Sequence, residues 1–421
     1  MLSANSRAVR IWTDAHICDR VAGVLEEVPS KETRRSHIDI ELYAGAGGLA
    51  LGLAAAGMPP DHLYELDPVC VETLKHNSQG AESLISGRIH RKDVSRVQWG
   101  RITERVRLLS AGPPCQPFSL GGKHHGQDDS RDGFPATLRA IRRLKPAFII
   151  IENVHGLKRK KFRPYFDYVL RQIEVPSIAP RSGEDWTKHD SRLARRQASA
   201  DYEPEYAVEW DLLNAADYGV AQARSRVIVI ATRRGFPAVR LPSPTHSMAT
   251  LVRDQSSGLY WKNRRLTCPN PLPRRHAAPG HKPDLKVERE PWLTVRDALV
   301  GLEDPPPSAD EASTNHWLIP GARLYPPRHN GSDIDWPSKT IKAGVHGVPG
   351  GENILRYSSD GYRYYSLREM ARLQGFPDEY YFKGARSRVI AQIGNAFPCP
   401  LATAVATEFR HAIALFEQAQ L

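Results

Sequence analysis

The sequence predicts an α/β fold: a doubly wound, mostly parallel sheet joined to a second, smaller, loop-rich domain. Three observations carry this. Short apolar runs alternate with helical patterns from residue 37 to 232, as expected of strands covered on both faces by crossover helices. A glycine-rich turn, Gly45-Ala46-Gly47-Gly48, follows the first run and opens the first helix. The alternation stops near Arg233 and gives way to a proline-rich basic stretch. Length agrees, since 421 residues at about 100–200 per domain leave room for two or three domains.

Taken in order, residues 1–36 read as a leader whose Val9, Trp12, Ile17, Val21 and Leu25 form one apolar helical stripe. Residues 37–43 read as a buried strand and 49–56 as a helix stopped by Gly57 and Pro59. A short strand at 63–66 and a helix at 68–77 follow. Residues 107–110 form a strand running into Gly112-Pro113-Pro114, then 137–144 a helix and 147–151 a strand. A helix at 162–173 and strands at 207–214 and 226–232 complete the pattern. Residues 176–204 are polar and Arg-rich and read as an inserted loop. Prolines crowd 233–340, helical periodicity returns at 367–373, and 401–416 is a clear helix.

Hydrophobic residues at 41% and charged residues at 25% exclude a disordered or collagen-like chain. Apolar runs such as 148–151 and 227–231 suit buried strands and fall far short of the roughly 20 residues of a membrane helix. With no signal pattern at the N-terminus, the expected location is cytoplasmic. Lys and Arg outnumber Asp and Glu by 58 to 47, giving +11. The stretch 233–289 holds twelve Lys or Arg against three Asp or Glu, so it alone carries +9 of that excess. One basic segment on a near-neutral remainder suits a polyanionic partner, a solvated loop region being the plainer alternative. Five cysteines at 18, 70, 115, 268 and 399 show no CxxC spacing. They suit a reducing compartment and imply no metal.

Several motifs carry chemistry. Gly45-Ala46-Gly47-Gly48-Leu49-Ala50 fits the G-x-G-x-x-G/A template, and Glu65 lies twenty residues on, where an acid holds ribose hydroxyls. This points to an adenosine-containing cofactor, with a nicotinamide dinucleotide and S-adenosylmethionine equally served and a plain structural turn as the alternative. Asp93 could accept from an adenine amino group. Cys115 stands on the rigid turn Pro113-Pro114-Cys115-Gln116, placed as a nucleophile whose thiolate needs local positive charge or backbone donors. Residues 120–134 form a glycine-rich polar loop able to close over a substrate. Glu152 ends an apolar strand, where desolvation raises a carboxyl pKa and suits it to proton donation. Arg224 and Arg226, in Gln222-Ala223-Arg224-Ser225-Arg226, share a face and could orient an acid or a phosphate.

Together these motifs resemble those of the cytosine-5 DNA methyltransferases of prokaryotic restriction–modification systems, over about residues 37–415. Two later motifs extend the resemblance: Ser366-Leu367-Arg368-Glu369-Met370-Ala371-Arg372-Leu373-Gln374-Gly375-Phe376-Pro377 and Gln392-Ile393-Gly394-Asn395-Ala396. The family more often has Asp-Leu-Phe where this chain has Glu41-Leu42-Tyr43. The resemblance implies a Rossmann-like S-adenosylmethionine-dependent fold. It divides the chain into a catalytic and cofactor-binding domain at 37–232, a small target-recognition domain at 233–390 and a segment at 391–421 returning to the catalytic domain. It implies a cofactor site lined by Glu41, Tyr43, Ala44, Gly45, Gly47, Gly48, Leu49, Glu65, Leu66, Asp93, Val94, Pro114, Asn395 and Ala396. It implies a catalytic set of Cys115, Pro114, Glu152, Asn153, Val154, Arg224 and Arg226. Gln116, Ser119, Gly122, Lys123, Arg131, Gln222, Arg264 and Arg265 are expected at the DNA, and no metal is expected.

The implied mechanism is addition of the Cys115 thiolate to carbon 6 of a flipped-out cytosine, with Glu152 at ring nitrogen 3 and Arg224 holding Glu152 and the base. The expected partner is double-stranded DNA, with a cognate restriction endonuclease acting separately on the same site and the chain itself a monomer, nucleoid-associated when bound. Two other readings share the motifs: a tRNA cytosine-5 methyltransferase and an inactive DNA-binding regulator. The large recognition region favours DNA, and the intact Cys115, Glu152 and Arg224 favour activity.

Overall fold

A computed structural model describes residues 37–80, 83–114, 132–269, 288–308, 315–324, 330–344, 353–358 and 361–418. The leader stripe, Cys115 and most of the 120–134 loop lie outside them. The first strands are β1 (His37–Leu42), β2 (His62–Glu65), β3 (Arg88–Arg91), β4 (Arg105–Ala111) and β5 (Phe148–Val154). The helices α1 (Gly48–Ala55), α2 (Pro68–His76), α3 (Phe134–Leu144), α4 (Arg163–Glu174) and α5 (Trp186–Gln197) accompany them. Then come β6 (Tyr206–Asn214), β7 (Gln222–Ala223) and β8 (Ser225–Arg233).

Seven strands form one sheet in the order β3-β2-β1-β4-β5-β8-β6. All neighbouring pairs from β3 to β5 are parallel, whereas β8 runs antiparallel to both β5 and β6. The reason is connection length. Parallel neighbours need a crossover of about a dozen residues or more, and the short link from β6 to β8 does not provide one. The sheet is therefore mostly parallel, as the sequence predicts.

Alternate side chains of the central strands feed two cores. Ile149 and Ile151 of β5, with Val227, Val229 and Ala231 of β8, pack under α3 and α4. Phe148 and Ile150, with Ile228 and Ile230, pack on the other face under α1 and the last helix, α11 (Cys399–Gln418). Burial on both faces explains why these strands read as unbroken apolar runs.

Two departures from the expected elements stand out. The 176–204 insertion is not a plain loop, because α5 lies within it. Asp185 caps α5 by accepting from Thr187 N at 2.8 Å, and Trp186, His189 and Leu193 pack on α4. Its apolar stripe is too narrow among the arginines to show by periodicity. The region after residue 233 also carries more structure than its prolines suggest. It holds α6 (Met248–Ser256) and α7 (Leu259–Asn263) around a small core of Met248, Leu251, Tyr260, Trp261 and Trp292, followed by α8 (Val295–Leu299).

A fourth core joins the glycine turn to later chain. Ala44, Ala46 and Leu74 meet residues of α9 (Leu367–Leu373) and α10 (Arg386–Asn395) there. Helix α9 starts on a capping box: Ser366 accepts from Glu369 N at 3.1 Å while Glu369 accepts from Ser366 N at 2.7 Å. Glycine is required at two joints. A side chain at Gly52 would strike Ala402 of α11, and one at Gly394 would lie 2.6 Å from the Ala343 nitrogen.

Candidate active site

The chain reverses direction across the sheet between β1 and β4, so the crevice at their carboxyl ends is the expected ligand site. Every described motif of the sheet converges on that edge. After β1 comes a turn with three positive φ values: Tyr43 (58°), Gly45 (55°) and Gly47 (81°). A side chain at Gly45 would meet open space, with only the Tyr43 carbonyl 4.0 Å away. Glycine there leaves the backbone bare to a ligand. A side chain at Gly48 would instead collide with the Phe397 carbonyl, so Gly48 serves packing against the returning segment.

Glu65, at the end of β2, accepts from Gly45 N at 2.7 Å, Leu66 N at 2.8 Å and Asp67 N at 2.7 Å. These bonds fix the carboxylate against the glycine turn and leave acceptor capacity on Oε2, while burial pushes its pKa up. Leu66 beside it is 59% exposed, an apolar surface on the crevice rim. Asp93 caps its own turn through Ser95 N at 2.8 Å, and that bonding to Ser95 holds its pKa down. Val94 is buried. Tyr43 donates its hydroxyl to the Gly133 carbonyl at 3.1 Å, and burial raises it to about 12. Leu49 and Ala396 are buried beside the turn, while Asn395 is exposed at the end of α10.

Glu41 is the anomaly of this edge. It is 1% exposed, and its Oε2 has no hydrogen-bond partner among the described residues. Burial first, then the Glu65 charge, push its pKa well above the ordinary value. An orphaned buried carboxylate beside a bare glycine turn fits a ligand that brings its own donor or cation. A carboxyl whose folded-state pKa is raised makes the fold lose stability as pH climbs from the unfolded value through the folded one. Glu41→Gln is therefore expected to raise the melting temperature of the ligand-free protein at about pH 8, where the unfolded-state carboxyl is ionised. At about pH 4 it should change little. Thermal denaturation at the two pH values checks this.

The second half of the crevice is built by β5, β8 and the Pro113-Pro114 turn. Glu152 is half-buried, and its Oε1 forms an ion pair with Arg226 Nε at 2.7 Å. Desolvation raises its pKa in spite of that cation and of Arg224 nearby. A side chain at Gly112 would stand 3.7 Å from Glu152 Oε2, so this oxygen lies beside the turn that leads to Cys115. Asn153 donates Nδ2–H to the Pro113 carbonyl at 3.2 Å, and its Oδ1 accepts from Val154 N at 2.8 Å. The Glu-Asn-Val segment and the Pro-Pro turn are thus bonded to each other. Pro114 is exposed, and its carbonyl accepts from Gly133 N at 3.1 Å.

The two arginines divide differently from the expectation. Arg226, not Arg224, bonds Glu152. Arg224 is fully buried and donates to the carbonyls of Ile341 (3.3 Å), Gly394 (2.7 Å) and Ala396 (3.2 Å). The β7–β8 junction turns its side chain toward the returning segment, so it ties that segment to the sheet. Arg224→Met is expected to strand these carbonyls and cost more than about 3 kcal/mol, read as a lower denaturant midpoint.

Gln222 is corrected in the same way. It is 0% exposed, donates to the Leu373 carbonyl at 3.0 Å and to Gln374 Oε1 at 3.2 Å, and accepts from Ile341 N at 3.0 Å. A side chain so enclosed cannot reach DNA. Arg264 is held by Asp297 at 2.7 Å and lies 3.8 Å over the Tyr260 ring, whereas Arg265 is exposed. Gln116, Ser119, Gly122, Lys123 and Arg131 lie outside the described residues.

Sequence reasoning missed Tyr380. It is fully buried, and its hydroxyl donates to the Ala46 carbonyl in the glycine turn at 2.7 Å. Its position three residues after Pro377, at the end of the Ser366–Pro377 motif, was the available signal.

The family model for C-5 cytosine-specific DNA methylase matches residues 38–175, 189–270 and 311–411. The Type II methyltransferase M.NgoMIV of Neisseria gonorrhoeae is 29% identical over 89% of this chain and 97% of its own. The Type II methyltransferase M.NaeI of Lentzea aerocolonigenes is 28% identical over 89% of this chain and 75% of its own. Among solved structures, a DNA modification methyltransferase encoded within an E. coli prophage superposes with TM-score 0.54 at 19% identity. It covers 89% of this chain and 99% of its own.

Proposed function

The chain belongs to the C-5 cytosine-specific DNA methylase family, and we propose that it methylates carbon 5 of a cytosine flipped out of a specific double-stranded DNA sequence, through an adduct on Cys115. The observation that carries this reading is the half-buried Glu152 paired with Arg226, its carboxyl pKa raised by desolvation and its neighbour Asn153 bonded to the turn that leads into Cys115.

The residues present fit S-adenosylmethionine. Glu65 Oε2 offers an acceptor to ribose hydroxyls, Leu66 an apolar surface to the base, and the orphaned Glu41 a counter-charge. When bound, S-adenosylmethionine supplies an electrophilic methyl group. Glu41→Gln is expected to weaken its binding by roughly tenfold or more, as for a lost charged hydrogen bond.

The chain's own residues do the rest. The Cys115 sulfur bonds carbon 6 of the base, and the electron pair of the 5,6 double bond shifts into the ring. Glu152 donates its proton to ring nitrogen 3, so that charge does not accumulate. Arg226 holds Glu152 in place and keeps its conjugate carboxylate paired once the proton has left. Carbon 5 would then take the methyl group, the methyl–sulfur bond of the sulfonium breaking with its electron pair left on that sulfur. A water molecule takes the carbon-5 proton, the freed electron pair re-forms the 5,6 double bond and expels the Cys115 thiolate from carbon 6, and nitrogen 3 returns its proton to Glu152. The base must leave the stack for any of this, since neither face of a paired cytosine is open.

In this reading, residues 37–232 catalyse, 233–390 read the target and 391–421 return to the catalytic domain. The chain acts as a monomer, and an endonuclease of the same specificity acts separately. Exposed Arg265 remains a candidate DNA contact, and Arg264 is reassigned to the fold. Labelled S-adenosylmethionine offered with duplex DNA and with tRNA tests the substrate class. Label is expected in the duplex, and label in tRNA alone would replace the DNA reading with the RNA one.

A further inference from the structure

The run Lys158-Arg159-Lys160-Lys161 begins four residues after Val154 and has no part in the roles above. Its backbone is pinned. Leu157 and Phe162, on either side, are 0% and 4% exposed and belong to the core under α4. Arg159 N donates to Gly156 O at 3.1 Å, and Arg159 O accepts from Phe162 N at 2.8 Å and Arg163 N at 2.9 Å. Between these anchors Lys158, Lys160 and Lys161 are exposed and Arg159 is half-buried.

Nearby arginines have carboxylate partners: Arg163 with Asp167 (2.7 Å), Arg171 with Asp190 (2.7 Å), Arg192 with Glu184 (2.8 Å) and Arg196 with Asp201 (2.7 Å). Lys158, Arg159 and Lys160 have none among the described residues. Lys158 lies 5.7 Å from the Trp210 ring, which also carries Arg163 at 4.7 Å. The run sits on the active-site edge. His155, next to Val154, has its imidazole pKa held below the ordinary value by desolvation first and then by the charges of Arg226, Arg159 and Lys342. Arg226 there is the partner of Glu152.

Four adjacent cations on a rigid turn repel one another and offer fixed donors to an anion. The reacting base is attached to such anions on both sides, since each nucleotide of the duplex carries a phosphate. We propose that Lys158, Arg159 and Lys160 bind backbone phosphates of the substrate DNA beside the flipped base. This inference rests on the DNA reading given above. Phosphate contacts of this kind set register and add affinity without reading sequence.

The test replaces all three, Lys158→Gln, Arg159→Gln and Lys160→Gln, and measures duplex binding across a salt series. Each phosphate contact removed should make the log affinity against log salt about 0.9 shallower. Affinity should fall roughly tenfold or more at about 0.1 M salt, alike for target and non-target duplexes. An unaltered melting temperature and S-adenosylmethionine titration would show that the fold is intact. A wild-type chain that binds duplex DNA steeply with salt, beside a folded triple variant of the same slope and affinity, would overturn the inference and leave the DNA reading standing. A wild-type chain with no duplex binding at all would overturn both.

Discussion

Glu152→Gln is expected to slow methyl transfer by about 10²- to 10⁴-fold, the range for losing a positioned proton donor. Glutamine keeps the shape and can still hydrogen-bond the base and Arg226, but it has no proton to give and take back. The wild-type side chain is suited to the task by its surroundings. Desolvation raises its pKa, while Arg226 first and then Arg224 pull it down, and burial wins. Its protonated form therefore persists to higher pH than that of an ordinary glutamate. If that form acts, single-turnover rates at saturating DNA and S-adenosylmethionine should decline as pH rises through the raised value. The Gln variant should lose that limb of the profile. Binding of S-adenosylmethionine should hardly change, because Glu152 lies across the crevice from Glu65. Unchanged turnover in the variant would remove Glu152 from the chemistry.

Cys115→Ala is expected to abolish transfer while specific duplex binding survives. Without the sulfur, carbon 5 of cytosine is a weak nucleophile, and no neighbouring group is proposed to replace it. The sharper form of the prediction uses duplex DNA in which the target cytosine carries fluorine at carbon 5. Fluorine cannot leave as a proton does, so the wild-type chain should stall as a covalent complex that resists denaturant. The Ala variant should form none. A covalent complex in the Ala variant would place the nucleophile elsewhere. Loss of all DNA binding by a folded variant would point to a different role for the Pro113-Pro114-Cys115 turn.

The parts legible in the sequence were those in which local pattern and tertiary role coincide. Ile149–Ile151 and Val227–Ala231 are apolar without a break because both sheet faces are covered, so their strands could be read directly. Gly45 and Glu65 fit a spacing template because one turn and one strand end must meet, and they do so at 2.7 Å. Other features were not legible for physical reasons. Strand β3, Arg-Ile-His-Arg, is an edge strand with both end residues exposed and shows no apolar pattern. Helix α5 hides its stripe among paired arginines. The alternation of Arg224 and Arg226 gave a shared face but not which guanidinium meets a carboxylate and which meets carbonyls. That depended on Ile341, Gly394 and Ala396, more than a hundred residues away. Gln222 likewise looked like a polar contact for DNA, because nothing local shows that Gln374 and Ile341 enclose it.

Sequence-specific methylation of cytosine by the Cys115 thiolate is the central claim. The most direct measurement is to express the chain in a host lacking cytosine methylation and map 5-methylcytosine across its DNA, with Cys115→Ala expressed in parallel. Modification at one short recurring sequence, absent with the Ala variant, is the expected result. Folded wild-type protein with an unmodified genome, or equal modification with the variant, would contradict it.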